Sequence, residues 1–255
     1  MTNADLNTFV ERVRQQISAQ AGQPLADAPS PSSVASLIDH TLLKADARLE
    51  DIRKVCAEAR QYGFASVCVN PYWVPVVSEE LQGSTVKVCT VIGFPLGANA
   101  PEMKRTEAEF ALRQGAQELD MVLNAGALRS GQFDTVEADI GGVVAAGHAA
   151  GALVKVILET CLLDETQKIT ACLLAKEAGA DFVKTSTGFS TGGATTADVS
   201  LMRLAVGPEM GVKASGGIRT LEDLQKMVVA GATRVGASAS VQIVQAQPAG
   251  ASHGY

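Results

Sequence analysis

The chain has 255 residues, 47% of them hydrophobic and 19% charged, and its 21 basic against 27 acidic side chains leave a formal charge of −6. That composition excludes a strongly basic duplex-binding protein, a disordered chain and a disulfide-stapled miniprotein. At this length, folding buries roughly 70% of the surface an extended chain exposes, enough for one large core. The five cysteines, with no C-x-x-C pair, read as reduced, buried thiols of a cytoplasmic protein. The opening MTNADLNTFVERV lacks the regions of a signal peptide, and no uncharged apolar run reaches the roughly 18 residues of a membrane span, so neither export nor membrane insertion is expected.

In chain order, Leu6, Phe9, Val10, Val13 and Ile17 recur at helical spacing, which predicts an amphipathic helix over 4–20 that packs on the rest. The Pro-, Ala- and Ser-rich AGQPLADAPSPSS reads as a linker, so the main domain is expected over 34–245, after a helix and linker in 1–33. Within it, β-branched runs at 36–42, 65–69, 86–92, 118–123, 153–159, 182–186, 211–215 and 234–237 alternate with amphipathic segments such as DETQKITACLLAKEAG and TLEDLQKMVVAG. Each such segment ends at or near a Gly, as a helix C-terminus does. Eight βα units predict an α/β fold of the closed (β/α)8 TIM-barrel kind, a single domain with an extra N-terminal helix. An open doubly wound sheet fits less well, since no strand–GxGxxG–helix unit occurs.

Three Val-Lys pairs, ending at Lys155, Lys184 and Lys213, recur every 29 residues, and each is expected at the same depth in strands five, six and seven. Pointing outward, these lysines would be buried unpaired beneath helices at a cost of several kcal/mol. Pointing inward near the barrel mouth, they meet water, substrate and carboxylates, and Asp120 in ELDMVLN and Asp39 in SLIDHTLL supply the latter.

Lysines and aspartates at a barrel mouth suit imine chemistry. A lysine attacks a carbonyl only as the neutral amine, yet a free lysine, with a pKa of about 10.4, is almost wholly protonated at neutral pH. A second cation about 5 Å away, at an effective dielectric of about 20, disfavours that charge by roughly 3 kcal/mol. Lys213, on the strand beside Lys184, is placed to do this, with Asp120 moving protons. The loops TSTGFSTGG, SGGIRT and GASAS offer free backbone N–H groups as an anion cradle near the end of strands seven and eight, and Arg219 adds a charge there or is solvated.

The segments SLIDHTLLK, VCVNP, GFPLG, ELDMVLN, LVKVILET, FVKTSTGFSTGGAT, VKASGGIRT and GAS, in this order, resemble deoxyribose-phosphate aldolases over roughly residues 34–240. The resemblance implies a class I aldolase that cleaves 2-deoxy-D-ribose 5-phosphate reversibly into D-glyceraldehyde 3-phosphate and acetaldehyde, with neither metal nor cofactor. It implies Lys184 as the Schiff-base lysine, Lys213 as its charged neighbour, Asp120 as a proton relay assisted by water, and Lys155 with Asp39 as a polar pair orienting sugar hydroxyls. It also implies phosphate binding over Gly188, Gly216, Gly217, Gly236 and Ser238. Phe189 stands where some relatives carry lysine and Ala239 where some carry serine, so a phosphate cation and a hydroxyl donor are absent here.

The three histidines are far apart, which argues against a zinc-dependent mechanism. His40 is expected to be structural and His148 exposed. Cys68, in strand two beside the site, is either a small packing residue or a target for a reactive aldehyde. The tail 246–255 is expected to be flexible, and its terminal Tyr255 is a candidate proton shuttle over the mouth. The expected partner is a small phosphorylated sugar with acetaldehyde, with no nucleic acid and no membrane. Scattered apolar residues on outer helix faces leave room for a homo-oligomer. The rival readings are a Schiff-base aldolase for another sugar phosphate and a non-catalytic sugar-phosphate-binding barrel.

Overall fold

A computed structural model describes residues 3–20, 22–30 and 33–246. Helix α1 (Asn3–Ala19) precedes eight βα units. The first four comprise β1 (Ile38–Leu42), α2 (Leu49–Tyr62), β2 (Ser66–Val69), α3 (Val74–Glu80), β3 (Lys87–Ile92), α4 (Pro101–Arg113), β4 (Glu118–Val122), a short α5 (Ala125–Arg129) and α6 (Phe133–Ala149). The rest comprise β5 (Leu153–Ile157), α7 (Glu165–Glu177), β6 (Phe182–Lys184), α8 (Thr196–Val206), β7 (Gly211–Ser215), α9 (Leu221–Val229), β8 (Arg234–Ala237) and a short α10 (Ser240–Val244). All eight strands are parallel and β8 pairs with β1, closing the barrel as the alternating pattern predicts.

Local chemistry sets the boundaries. Asp164 and Gln167 form a reciprocal capping box that starts α7, and Thr220 with Asp223 does the same for α9; such caps contribute about 1 kcal/mol each. Gly63 ends α2 at φ 69°, a left-handed turn that a side chain would oppose. Outward-facing Val67, Leu119, Met121, Val154, Val183 and Val212 are buried beneath the helices, which is the principal core. Leu6, Val10 and Val13 of α1 join that core, and Arg14 reaches Glu165 at 2.9 Å on α7. The N-terminal helix therefore packs on the barrel's outer wall.

One buried ion pair lies outside the barrel interior. Lys104 of α4 meets Asp139 of α6 at 2.5 Å and donates to the Val122 carbonyl at 3.0 Å, so three elements lock around one ammonium. Removing either partner strands a buried charge, a loss of about 3–5 kcal/mol.

The strand register corrects one expectation. Lys184 is level with Lys213, but Lys155 is level with Phe182, two residues deeper. Strands in a closed barrel are tilted and staggered, so an equal repeat along the sequence does not give equal depth around the ring. A two-residue offset preserves the side-chain face, and all three lysines point into the barrel.

Candidate active site

The interior of this barrel is charged where most barrels are apolar. Asp120 of β4 is its hub. Its Oδ1 accepts from Lys155 Nζ at 2.8 Å and from the Cys89 thiol at 3.3 Å, and its Oδ2 accepts from Lys184 Nζ and Lys213 Nζ at 2.7 Å each. Burial works to raise the proton affinity of this carboxyl, but the three ammonium groups outweigh it and hold Asp120 well below the usual carboxylate range. The lysines differ in how firmly they are held. Lys213 also pairs with Asp39, and Lys155 also pairs with Glu118 at 2.6 Å. Among the described residues Lys184 bonds to Asp120 Oδ2 alone, an oxygen it shares with Lys213. Lys213 is driven above the ordinary lysine range despite burial, because Asp120 and Asp39 flank it.

Asp39 completes a lower layer. Its Oδ1 accepts from Arg234 Nη1 at 2.7 Å, and the same nitrogen lies 3.3 Å from Glu118 Oε2. Burial opposes ionisation of Asp39, but Lys213, Lys155 and Arg234 hold the carboxyl below its usual range. Gly236 sits in β8 level with Asp39, and a Cβ there would come within 3.1 Å of Lys213 Cε. Its missing side chain makes room for Lys213; Gly236 is not among the residues lining the adjacent cavity.

That cavity, of about 320 Å³, opens at the C-terminal ends of β6, β7 and β8. Gly188, Gly216, Gly217 and Ser238 line it together with Gly193 and Arg219. Gly193 and Gly216 touch: a Cβ on Gly193 would lie 2.4 Å from the Gly216 carbonyl oxygen, so only glycine allows the two loops to meet. Ala194 N donates to that same carbonyl at 3.0 Å. The loops run into capped α8 and α9, whose N-termini favour an anion. Ser238 also lines a larger groove between α2 and α10, of about 1050 Å³.

Three residues of the site are not marked by the sequence patterns. Glu118 and Arg234 are the counter-ions of the lower layer; Glu118 lies two positions before Asp120 on the same strand face, a period-two signal that could have revealed it. Glu159, at φ 55°, is buried just after β5, and its carboxylate accepts from the hydroxyl of Thr187. It thereby ties the loop after β6 to β5. No sequence pattern marks it, since a polar residue leaving a strand is commonplace.

The remaining candidates fall as follows. His40 is buried, with Nδ1 at 2.9 Å from Ser240 Oγ and Nε2 at 2.7 Å from Glu58, a satisfied structural position. His148 is half-exposed and pairs with Asp181 at 3.0 Å. Cys68 is fully buried, packed with Leu43, Cys89, Val91 and Phe94 on the barrel's inner face. Phe189 is not among the residues lining the cavity at the ends of β6, β7 and β8 and packs on Phe94, edge to face at 5.3 Å. Tyr255 lies outside the described residues. All five cysteines are unpaired, and only Cys161 is exposed. Among the described residues two sets of donors, Cys68–Cys89–Asp120 and Asp39–Cys89–Glu118, gather within 4.8 Å. Their carboxylates are already bonded to ammonium or guanidinium groups, which repel a metal cation. Among the described residues no helix is long and apolar enough to cross a membrane.

Comparison with known proteins agrees with this fold. The family model described as DeoC/LacD family aldolase matches residues 33–254. A deoxyribose-phosphate aldolase of Lysinibacillus sphaericus is 63% identical over 210 residues, covering 82% of this chain and 94% of that protein. One of Bacillus cereus is 60% identical over 223 residues, covering 88% of this chain and 100% of its own. Among solved structures, one from Coccidioides immitis superposes with a TM-score of 0.89 at 44% identity, covering 96% of this chain and 97% of the other. The tetrameric deoxyribose phosphate aldolase of Aeropyrum pernix gives 0.80 at 36%, with the same coverage. The chain belongs to the DeoC/LacD family of aldolases.

Proposed function

We propose that this chain is a class I aldolase that reversibly cleaves 2-deoxy-D-ribose 5-phosphate into D-glyceraldehyde 3-phosphate and acetaldehyde, with Lys184 as the Schiff-base residue. The observation that carries this reading is the sharing of Asp120 Oδ2 by Lys184 and Lys213 beside an anion cavity. Charge balance supports it. The interior network holds four basic groups, Lys155, Lys184, Lys213 and Arg234, against three carboxylates, Asp39, Glu118 and Asp120. Imine formation uses a lysine as its neutral amine, and Lys184, whose one carboxylate partner is shared with Lys213, is the basic group least committed to a counter-ion.

In the cleavage direction the Lys184 nitrogen adds to the aldehyde carbon of the open-chain sugar, and loss of water leaves a protonated imine. Removal of the C3 hydroxyl proton breaks the C2–C3 bond, its electron pair passing toward the imine to give an enamine while glyceraldehyde 3-phosphate leaves. Protonation at C2 and hydrolysis release acetaldehyde and restore the amine. Asp120, held ionised among three cations, suits a relay that passes protons through water rather than one that stores them. Lys213 supplies the fixed positive charge, and Lys155 with Asp39 sets the hydroxyl-facing polarity below. Gly188, Gly216, Gly217 and Ser238 receive the phosphate, with Arg219 as the nearby cation; Gly236 serves the site by seating Lys213. Tyr255 is our candidate donor for enamine protonation. We infer a cytoplasmic enzyme that acts on small molecules and, given the tetramer of the Aeropyrum pernix relative, a homo-oligomer.

Borohydride trapping with acetaldehyde, followed by peptide mass spectrometry, tests the reading. A two-carbon adduct on Lys184 is expected. An adduct on Lys155 or Lys213 overturns the assignment, and no adduct in active protein ends the Schiff-base mechanism.

A further inference from the structure

The segment after β6 reads Thr185-Ser186-Thr187, three buried hydroxyls in succession between the amine of Lys184 and the anion cavity. Two of them are committed. Thr185 Oγ1 donates to the Ser215 carbonyl at 3.0 Å and accepts from the Ser215 N–H at 3.0 Å, stitching β6 to β7. Thr187 Oγ1 donates to Glu159 and accepts from the Phe189 N–H at 3.1 Å. The nearby Ser215 hydroxyl is used as well, donating to the Ser186 carbonyl at 2.6 Å. Ser186 Oγ alone of this set is fully buried without a hydrogen-bond partner among the described residues.

Its placement gives that hydroxyl a direction. Ser186 lies two residues past Lys184, the last residue of β6, and beside Thr185, whose hydroxyl is tied to β7. The Ser186 Cβ lies 3.5 Å from where a Cβ on Gly216 would stand, and Gly216 lines the anion cavity. Ser186 thus lies between the group that bonds C1 of the sugar and the loops that take the phosphate on C5. A buried hydroxyl left unpaired is expensive, and one that lies beside a cavity can be completed by what fills it.

We propose that Ser186 is a substrate-recognition residue whose hydroxyl bonds the hydroxyl on C4 of the sugar, which is the α-hydroxyl of the acceptor aldehyde. This rests on the aldolase reading above and names the acceptor class it favours: α-hydroxy aldehydes carrying a terminal phosphate. A site that bonds a substrate hydroxyl discriminates against the analogue lacking it, because its own polar group is then left unpaired.

The test compares the full-length enzyme with Ser186→Ala in the addition of acetaldehyde to two acceptors, D-glyceraldehyde 3-phosphate and 3-oxopropyl phosphate, which lacks the α-hydroxyl. The variant is expected to lose about tenfold in kcat/KM for the first and to change less than twofold for the second, with the rate of borohydride trapping of acetaldehyde unchanged. Its melting temperature should hold or rise, since the hydroxyl removed has no partner in the folded protein. An equal loss on both acceptors, no loss on either, or a markedly lower melting temperature overturns the proposal. Wild-type enzyme that neither traps acetaldehyde nor condenses it with either acceptor overturns the underlying aldolase reading together with this proposal; wild-type activity with an undiscriminating variant overturns the role of Ser186 alone.

Discussion

Lys184 and Lys213 donate to one and the same oxygen, Asp120 Oδ2, at 2.7 Å each. The bond brings the two nitrogens within twice that distance of each other and makes Asp120 the common counter-ion of nucleophile and fixed cation. Asp120→Asn keeps the shape and removes the charge. Three buried ammonium groups then lose their shared partner, so the variant should lose about 3–5 kcal/mol of stability and at least about 100-fold in kcat. Denaturant titration and steady-state kinetics measure both; retention of near wild-type kcat would show that Asp120 carries no protons.

Lys213 has a second carboxylate in Asp39, and the two aspartates hold its ammonium above the ordinary lysine range. Replacing it with Met removes the fixed positive charge beside the Lys184 nitrogen and leaves Asp39 without its lysine partner. Imine trapping by Lys213→Met at pH 7 should fall at least about tenfold. Trapping at the wild-type rate contradicts the role given to Lys213.

The fold was legible because periodicity repeats eight times: each strand lies within about two residues of its predicted span, and the barrel closes as expected. The extra trimming at 36–37 reflects a single turn, Ala35–Leu37, that β-branched content alone does not separate from a strand. The upper layer, Lys184, Lys213 and Asp120, was legible for a different reason, since charges inside apolar runs are costly unless paired. The lower layer was harder. Arg234 opens its strand at a position where a solvated cation is equally reasonable, and only closure of the barrel brings it to Asp39 and Glu118. The depth of Lys155 depends on stagger, which sequence spacing does not carry.

Gly193 and Gly216 offer a way to separate phosphate binding from imine chemistry. A Cβ on Gly193 would lie 2.4 Å from the oxygen and 2.7 Å from the carbon of the Gly216 carbonyl, so Gly193→Ala must push the two loops apart. The KM for deoxyribose 5-phosphate should rise tenfold or more. Acetaldehyde alone has no phosphate, and its trapping on Lys184 should keep its rate. Parallel loss of both measurements would mean that the loops also shape the amine site.

Acid stability follows from the two buried aspartates. Burial favours their protonated forms, but Lys155 and Lys213 act on both, with Lys184 on Asp120 and Arg234 on Asp39, and both folded values lie below the ordinary range. A carboxyl depressed in the folded state contributes stability that is present above its unfolded value, about 3.9, and is lost as pH falls from there toward the folded value. The melting temperature should therefore be nearly level from pH 7 to pH 5 and drop steeply below about pH 4. Asp39→Asn, less stable throughout, should show a shallower decline over the acid range. A wild-type melting temperature unchanged down to pH 3 would argue that the network is not ionised as drawn.

Tyr255 bears on the step that follows carbon–carbon cleavage. Its phenol is proposed to donate to the enamine carbon, a step separate from imine formation, so a chain ending at Gly254 should trap acetaldehyde by borohydride as fast as the full-length protein. Exchange of the acetaldehyde methyl protons with deuterated solvent passes through the enamine and reports its protonation directly; the shortened chain should exchange at least about tenfold more slowly, in the range that general acid catalysis contributes. Tyr255→Phe isolates the hydroxyl from the ring and should behave like the deletion. If the Phe variant exchanges normally while the deletion does not, the tail acts by covering the site and the proton comes from elsewhere, with water held at Asp120 as the next donor to test.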